Sequence, residues 1–210
     1  MLKNLQNICP MFIMLECQSM LEFIMIKPVP LDKFYRLINH GVTALISGKH
    51  GNDENVMSAS WVCPLDFSPN AKLTVVLDKS THTRTLIEQS GYFAVQVPVL
   101  SQLDWVVKLG SISKKDHPNK LDGLPLFYQD GYDVPLVSGC AGWIVCRLIR
   151  NLDNEQNHDL FIGEVLSAWA DEGIFDNGRW KFDEMGDEWR TLHYIAGGQF
   201  YTTGKSMVVE

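Results

Sequence analysis

Residues 55–61, which read NVMSASW, combine one amide side chain with three consecutive small residues and a tryptophan. Small side chains in a strand leave the backbone open, so that main-chain N–H and C=O groups can bond a flat heteroaromatic ring. Trp61 would then supply an aromatic wall beside the ring. The same pattern is also typical of a barrel strand whose small residues, Ser58, Ala59 and Ser60, face a narrow interior. This stretch alone leaves both interpretations open.

Residues 78–84, which read DKSTHTR, lie where a predicted strand passes into a predicted helix. Hydroxyl groups, backbone amides and the positive end of a helix dipole together favour the binding of an anion such as phosphate. Lys79 and Arg84 add positive charge to this segment of an acidic chain. The alternative is that Ser80 or Thr83 simply caps the helix, which requires no ligand.

Other groups of reactive residues fit no familiar site. The histidines have no metal-ligand spacing, and no metal site is predicted. Cys140 and Cys146 lie six residues apart in a predicted strand, a spacing that favours core positions over redox chemistry. Residues 138–142 do not match G-x-S-x-G, so no catalytic triad is predicted. The acidic residues of 183–188 are interpreted as a solvated face.

The predicted secondary structure is rich in short strands that would position these two stretches. Hydrophobic patterning and turn residues predict strands over 42–47, 55–63, 72–77, 92–97, 140–148 and 158–170. Helices are predicted over 31–40, 81–90 and 100–109, whereas 110–132 is rich in loop-forming residues. Strands at short spacing with few helices favour an antiparallel barrel over a parallel α/β sheet. The glycine pair Gly197–Gly198 lacks the strand–turn–helix context of a dinucleotide-binding fingerprint.

The composition is that of an ordinary globular protein. The chain has 210 residues, of which 46% are hydrophobic and 20% charged, with a net charge of -7 and a pI of about 5.3. An acidic chain is not expected to bind nucleic acid, because such affinity comes largely from neutralising phosphates. The five cysteines include no C-x-x-C pair, which favours reduced thiols and a cytoplasmic location.

Residues 1–26 are interpreted as an N-terminal extension to a domain covering 27–210. Their apolar stretch is interrupted by Glu16, Gln18 and Glu22, which argues against a transmembrane helix or signal peptide, and no membrane partner is expected. Because residues 25–28 look like a natural domain start, an upstream start codon is one explanation of the extension. A genuine amphipathic helix that packs on the body is the other.

Several motifs in order resemble one known family. They are residues 55–61 followed by Pro64 and Pro69, then 79–83 (KSTHT), 91–97 (GYFAVQV), 158–165 (HDLFIGEV) and 194–201 (YIAGGQFY). Together they resemble the flavin reductase-like, FMN-binding split-barrel family, nearest its flavoredoxin branch, over residues 30–205. The resemblance implies a mainly β fold, a six-stranded antiparallel split β-barrel of Greek-key type with a few peripheral helices.

The resemblance also assigns roles to individual residues. It implies an isoalloxazine ring lined by Ser58, Ala59, Ser60 and Trp61, with Asn55 and Met57 at its edge. It implies a phosphate tail held by Ser80, Thr81, His82 and Thr83, with charge support from Lys79 or Arg84. Tyr194 and Tyr201 are expected to contact the flavin or a dimer partner. His158 matches a position near the nicotinamide in related reductases, although a turn residue that caps the strand start explains it equally well.

These expectations define three hypotheses about function. The first is a homodimeric FMN-dependent oxidoreductase with flavin at the subunit interface, in which NADH or NADPH reduces the flavin and a protein or small molecule accepts the electrons. The second is a flavin-binding electron carrier or storage protein without nicotinamide turnover. The third is a barrel that has lost its cofactor and serves as a dimeric interaction module. Residues 171–189, with Trp180 and Trp189, extend a minimal family barrel and either cover the flavin or pack on the surface.

Overall fold

The structure, a computed structural model, describes residues 27–209. The chain divides into two compact units, Met1–Tyr35 and Arg36–Glu210. A 3-10 helix covers Leu31–Leu37, where the sequence predicted a longer amphipathic helix over 31–40. The predicted extension over residues 1–26 lies outside the described residues.

The second unit is built on one antiparallel sheet of seven strands. These are β1 (Ala44–His50), β2 (Asp53–Ala59), β3 (Val62–Asp66), β4 (Lys72–Val76), β5 (Tyr92–Val97), β8 (Gly142–Ile149) and β9 (Leu160–Ala170), and their spatial order is β2-β1-β5-β8-β9-β4-β3. The predicted mainly β class is confirmed, and the sheet has one strand more than the six predicted.

The additional strand arises because the predicted strand 55–63 is two strands. The chain leaves β2 at Ala59 and enters β3 at Val62, yet β2 and β3 form opposite edges of the strand order. Two intervening residues span only about 10 Å, so the sheet must curl until its edges approach each other. This curl makes the sheet a barrel, and Ser60 and Trp61 lie at the point where the chain crosses from edge to edge.

The barrel interior is apolar and closely packed. Its main cluster includes the buried residues Ile46, Val75, Phe93, Val95 and Phe161. Cys146 belongs to the same cluster and Cys140 to a neighbouring one, and burial raises the pKa of both thiols to about 12. Both cysteines are therefore core residues, as their spacing predicted. A bulge between Val145 and Cys146 bends β8 against β9.

Three α-helices lie outside the sheet: α1 (His82–Ser90), α2 (Leu103–Ser111) and α3 (Leu152–Asn157). Helix α1 ends at Gly91, whose φ of 76° is left-handed and whose N–H donates to the Ile87 carbonyl. A 3-10 turn, Leu100–Gln102, leads into α2. The Asn151 side chain caps helix α3 by accepting a hydrogen bond from the Asn154 N–H.

Three small hairpins complete the described part of the chain, residues 27–209. They pair β6 (Leu126–Phe127) with β7 (Leu136–Val137), β10 (Phe175–Asp176) with β11 (Arg179–Trp180), and β12 (Leu192–Ala196) with β13 (Gln199–Thr202). A further 3-10 turn covers Asp187–Trp189. Trp180 stacks on Phe182, and Phe182 and Trp189 pack around the buried Val99 and Ala141, so the extended segment 171–189 packs on the barrel.

No helix within residues 27–209 is long and apolar enough to cross a membrane.

Candidate functional site

A cavity of about 470 Å³, which we call the wide cavity, opens where β2, α2 and the β12–β13 hairpin meet. Its walls include Ser58, Ala59, Ser60, Val106, Tyr194 and Phe200. Within the described chain, this lining contains hydroxyl, apolar and aromatic groups but no Lys, Arg, His, Asp or Glu. Such a lining suits a flat, largely uncharged ligand.

Hydrogen bonds between neighbouring elements hold the walls of the wide cavity together. The Ser58 hydroxyl donates to the Val106 carbonyl over 2.6 Å and thereby joins β2 to α2. A Cβ at Gly110 would lie 3.4 Å from the Ser58 Cβ, so a small residue at position 110 keeps the groove open beside β2. On the far side, the Tyr194 N–H donates to Thr43, and its ring lies 5.0 Å from that of Phe200.

A second cavity of about 190 Å³, the basic cavity, continues from the first. The two cavities share Ser58, Gly110 and Ser111, so they form one groove with a neutral end and a charged end. The basic cavity is lined by Asn55, Met57, all four residues of Ser80–Thr83, and the cations Lys114 and Lys120.

The start of α1 faces the basic cavity without a side-chain cap. Thr81 occupies the N-cap position but makes no capping hydrogen bond. Ser80 instead donates to Asp78, and the Thr83 hydroxyl accepts from Asn55, so capping by Ser80 or Thr83 is not observed. The first N–H groups of a nine-residue helix therefore lie beside a cavity rich in hydroxyl groups.

Asn55, which lines the same cavity, has an unsatisfied acceptor. Its side-chain N–H donates to the Thr83 hydroxyl over 2.9 Å, whereas its Oδ1 is buried and has no hydrogen-bond partner within residues 27–209. A buried amide oxygen without a donor costs about 1–3 kcal/mol. A ligand hydroxyl or N–H at this position would remove that cost.

Lys120 is a buried cation at the charged end of the groove. The residue is 3% exposed and lines the basic cavity, and no hydrogen bond or ion pair joins its ammonium group to another described residue. Burial lowers the pKa of Lys120 to about 8, and the positive charge of nearby Lys114 adds to the lowering. An unpaired ammonium on a buried residue is costly, so this side of the cavity is suited to bind an anion.

Lys114 and His82, in contrast, share a carboxylate. Asp53 accepts a hydrogen bond from Lys114 over 2.9 Å and another from His82 over 2.7 Å. Burial would by itself raise the pKa of Asp53, yet these two hydrogen bonds hold it below its usual value. Asp53 is thus an ionised counter-charge for two of the groups that line the basic cavity.

The structure brings most of the predicted residues to the groove: Asn55, Met57, Ser58, Ala59, Ser60, Ser80, Thr81, His82, Thr83 and Tyr194. Arg84 is placed elsewhere. Its guanidinium is buried, ion-paired with Glu88 and Asp159, and donates to the Leu77 and Glu155 carbonyls. Phe161 packs beneath it, with the ring centroid 5.1 Å away. The donors of Arg84 are therefore engaged in joining α1 to α3 and β9.

Four other predicted residues do not line either cavity in the single chain. Lys79 donates to the Gln156 carbonyl over 2.5 Å, and His158 is an exposed residue at the C-terminal end of α3. Trp61 and Tyr201 are 49% and 55% exposed, respectively. Their predicted roles as cofactor or nicotinamide contacts stay predictions.

The sequence analysis missed the contribution of the end of α2 and of the segment that follows it. Gly110, Ser111, Lys114 and Lys120 all line the groove, but they fall in the stretch interpreted as a loop. The available signal was a cluster of three lysines in residues 114–120 of an acidic chain. No group of three or more potential metal-ligating side chains occurs in residues 27–209.

Comparison with known proteins agrees with this geometry. Residues 35–202 match the model of the flavin reductase like domain. The Escherichia coli K12 protein YddH, itself uncharacterized, is 37% identical over 182 residues, which span 85% of this chain and 95% of that one. An FMN-binding domain of a flavin reductases-like enzyme from Shewanella baltica is 50% identical, with a TM-score of 0.79 over 87% of this chain and 96% of that chain. Flavoredoxin from Methanosarcina acetivorans, 19% identical, shares the fold with a TM-score of 0.73 over 89% and 95% of the two chains. The chain belongs to the flavin reductase-like domain family.

Proposed function

We propose that this chain binds FMN in the continuous groove and acts as an FMN-dependent oxidoreductase of the flavin reductase type. The observation that carries the proposal is the division of the groove into a wide neutral end and a small basic end with a buried, unpaired Lys120. FMN has the same division, since a flat isoalloxazine ring is joined by a ribityl chain to a phosphate. The 50% identical Shewanella baltica structure, described as an FMN-binding domain, supports this assignment.

At the basic end, the start of α1 and the buried ammonium of Lys120 would hold the phosphate. Backbone N–H groups at the start of α1 and the charges of Lys114 and Lys120 are suited to a dianion. The Ser80 and Thr81 hydroxyls donate to Asp78 and would have to turn away from it to donate to a phosphate. Asn55 lines the same cavity, and its unsatisfied Oδ1 would accept a hydrogen bond from a ribityl hydroxyl if the side chain turns toward the ligand.

At the wide end, Ser58, Ala59 and Ser60 would present backbone and hydroxyl groups to the isoalloxazine ring. Tyr194 and Phe200 would cover the ring from the β12–β13 hairpin. Bound FMN supplies the hydride and electron chemistry, and the protein's own contribution is binding, orientation and exclusion of water. This division of labour is consistent with a groove whose lining residues, within 27–209, include no catalytic triad or carboxylate pair.

NADH or NADPH is the proposed reductant, and a protein or a small molecule is the proposed electron acceptor. The test begins with the visible spectrum of the purified protein and the mass of any released flavin. Anaerobic mixing with NADH or NADPH in a stopped-flow instrument should then bleach the flavin absorbance. Protein that carries FMN but is not bleached would be an electron carrier or a storage protein, and colourless protein that takes up no FMN would refute the proposal.

We further propose that the chain is a homodimer that uses the outer face of β3. Alternate residues of this edge strand and the following turn, Cys63, Leu65 and Phe67, are all exposed, with Phe67 at 92%. An exposed apolar stripe on an edge strand favours association. Light scattering should give twice the mass of one chain, and Leu65→Glu should dissociate the dimer, whereas Leu152→Glu on the exposed side of α3 should not. A monomeric wild-type protein would refute this assignment.

A cytoplasmic location is likewise a proposal, for which fractionation of cells that express the chain at native level is the direct test.

A further inference from the structure

Asp53, at the first position of β2, links two walls of the basic cavity without lining the cavity itself. One carboxylate oxygen accepts from the His82 Nε2–H over 2.7 Å and the other accepts from the Lys114 ammonium over 2.9 Å. His82 is the first residue of α1, whereas Lys114 belongs to the segment after α2. A single side chain therefore holds together two elements that are far apart in the sequence.

The hydrogen bonds to Asp53 leave donors available to a ligand. The Lys114 ammonium has three N–H groups, of which one is used by Asp53 and one by the Glu54 carbonyl over 2.5 Å. The third has no partner within residues 27–209. In His82, the carboxylate engages Nε2, so the ring orientation is determined and the other ring nitrogen is left for a second contact.

The negative charge of Asp53 gives two opposite expectations for an anionic ligand. If charge alone matters, the carboxylate repels a phosphate and its removal should tighten binding. If orientation matters more, its removal lets Lys114 and His82 move away from the cavity wall and weakens binding. Lys114 is a flexible side chain, and holding it in one rotamer before the ligand arrives lowers the entropic cost of binding.

We propose that Asp53 is a positioning residue that fixes His82 and Lys114 on the walls of the basic cavity and thereby selects phosphorylated over unphosphorylated flavin. This inference rests on the proposed binding of FMN. Asp53 itself does not touch the ligand and acts through the two groups that it orients.

The test compares FMN with riboflavin, which lacks the phosphate. In Asp53→Asn, the Kd of FMN should rise on the order of tenfold, the size of one charge-assisted hydrogen bond. The Kd of riboflavin should stay within about twofold, because the wide cavity is not altered. Combining Asp53→Asn with Lys114→Met should cost less than the sum of the two single changes, because the effect that Asp53 has through Lys114 is shared and only its effect through His82 remains. Asp133→Asn, which breaks the ion pair with Lys49 away from the groove, is the matched control and should change neither Kd.

Two results would overturn the inference: tighter FMN binding by Asp53→Asn, or equal losses of affinity for FMN and for riboflavin.

A second measurement does not depend on any flavin. Amide exchange in flavin-free protein should become about tenfold faster over residues 113–120 in Asp53→Asn, because this segment loses the Lys114–Asp53 bond and keeps only its bonds to the Glu54 and Ser80 carbonyls. If the wild-type protein binds no FMN, the proposed function fails, and unchanged exchange in this segment would separately refute the positioning role.

Discussion

Replacing Lys120 by methionine should make the flavin-free protein more stable and at the same time weaken FMN binding. Lys120 is 3% exposed and has no ionic partner among the described residues. Methionine keeps most of the length and volume of the lysine side chain but carries no charge. A change that improves folding and impairs binding is expected where a site holds an unpaired charge for its ligand.

The magnitude of the stability effect follows from the pKa of Lys120. Burial lowers this pKa from 10.5 to about 8, and the difference corresponds to about 3 kcal/mol. Between pH 8 and 10.5 the unfolded chain binds more protons than the folded chain, so the free energy of unfolding should rise with pH in that window. The penalty is fully present below pH 8. At pH 7, Lys120→Met should therefore unfold at a higher urea concentration than the wild type.

Lys120→Met should weaken FMN binding, although it stabilises the flavin-free protein. One hydrogen bond between an ammonium and a phosphate contributes about 1.5–3 kcal/mol, so the Kd of FMN should rise about tenfold to a hundredfold in Lys120→Met. Above pH 8, wild-type protein must take up a proton when it binds FMN, and its Kd should rise by up to about tenfold per pH unit. The variant should lack this pH dependence.

Urea unfolding of flavin-free protein and fluorescence titration with FMN from pH 6.5 to 9.5 measure both effects. Lys115→Met is the matched control, because Lys115 lies in the same segment but is exposed and donates to the Ser80 carbonyl. It should change the Kd of FMN by less than about threefold, the size of a surface charge effect. A less stable Lys120→Met, or one that keeps the FMN affinity of the wild type, would refute the assignment of Lys120 as the phosphate-facing cation.

Further predictions concern folding, access and reactivity. Arg84→Met should lower the free energy of unfolding by about 3 kcal/mol or more, because Asp159 loses its partner. The variant protein that still folds should bind FMN with the affinity of the wild type. A tenfold loss of FMN affinity in well-folded protein would instead show that Arg84 supports the phosphate. Gly110→Leu should fold but bind no FMN, because the leucine side chain enters the groove. Gly110→Ala should still bind FMN, and titration with FMN distinguishes the two variants. In the dissociated Leu65→Glu variant, iodoacetamide at pH 8 should modify Cys63 but not Cys146, whose pKa is raised to about 12, as peptide mapping would show.

The two stretches that line the groove could be recognised from the sequence because their character is local. Three adjacent small residues in a strand, and hydroxyls at the start of a helix, keep the same backbone properties in any surroundings. The resemblance to flavin reductases depended on the order of such stretches, and the family match and the shared fold confirm it. Most strands were also predictable, because alternation of side chains is a property of neighbouring residues.

Features that depend on partners distant in the sequence could not be predicted in this way. The 55–63 strand pattern is continuous, and only the closure of the barrel divides it into β2 and β3 on opposite edges of the sheet. Arg84 looked like a phosphate ligand because it follows a cluster of hydroxyls. Its actual partner Asp159 lies 75 residues away, and a guanidinium follows whichever carboxylates the fold brings within reach.

The sequence by itself determined which backbone segments could approach a flat ring and an anion. The tertiary structure decided which charges face that groove. Lys120 lies in a segment with no periodic pattern, and it becomes a buried cation only because the chain after α2 packs against β2 and the start of α1. Burial and charge pairing are properties of the three-dimensional neighbourhood, so they emerge only when the barrel has closed.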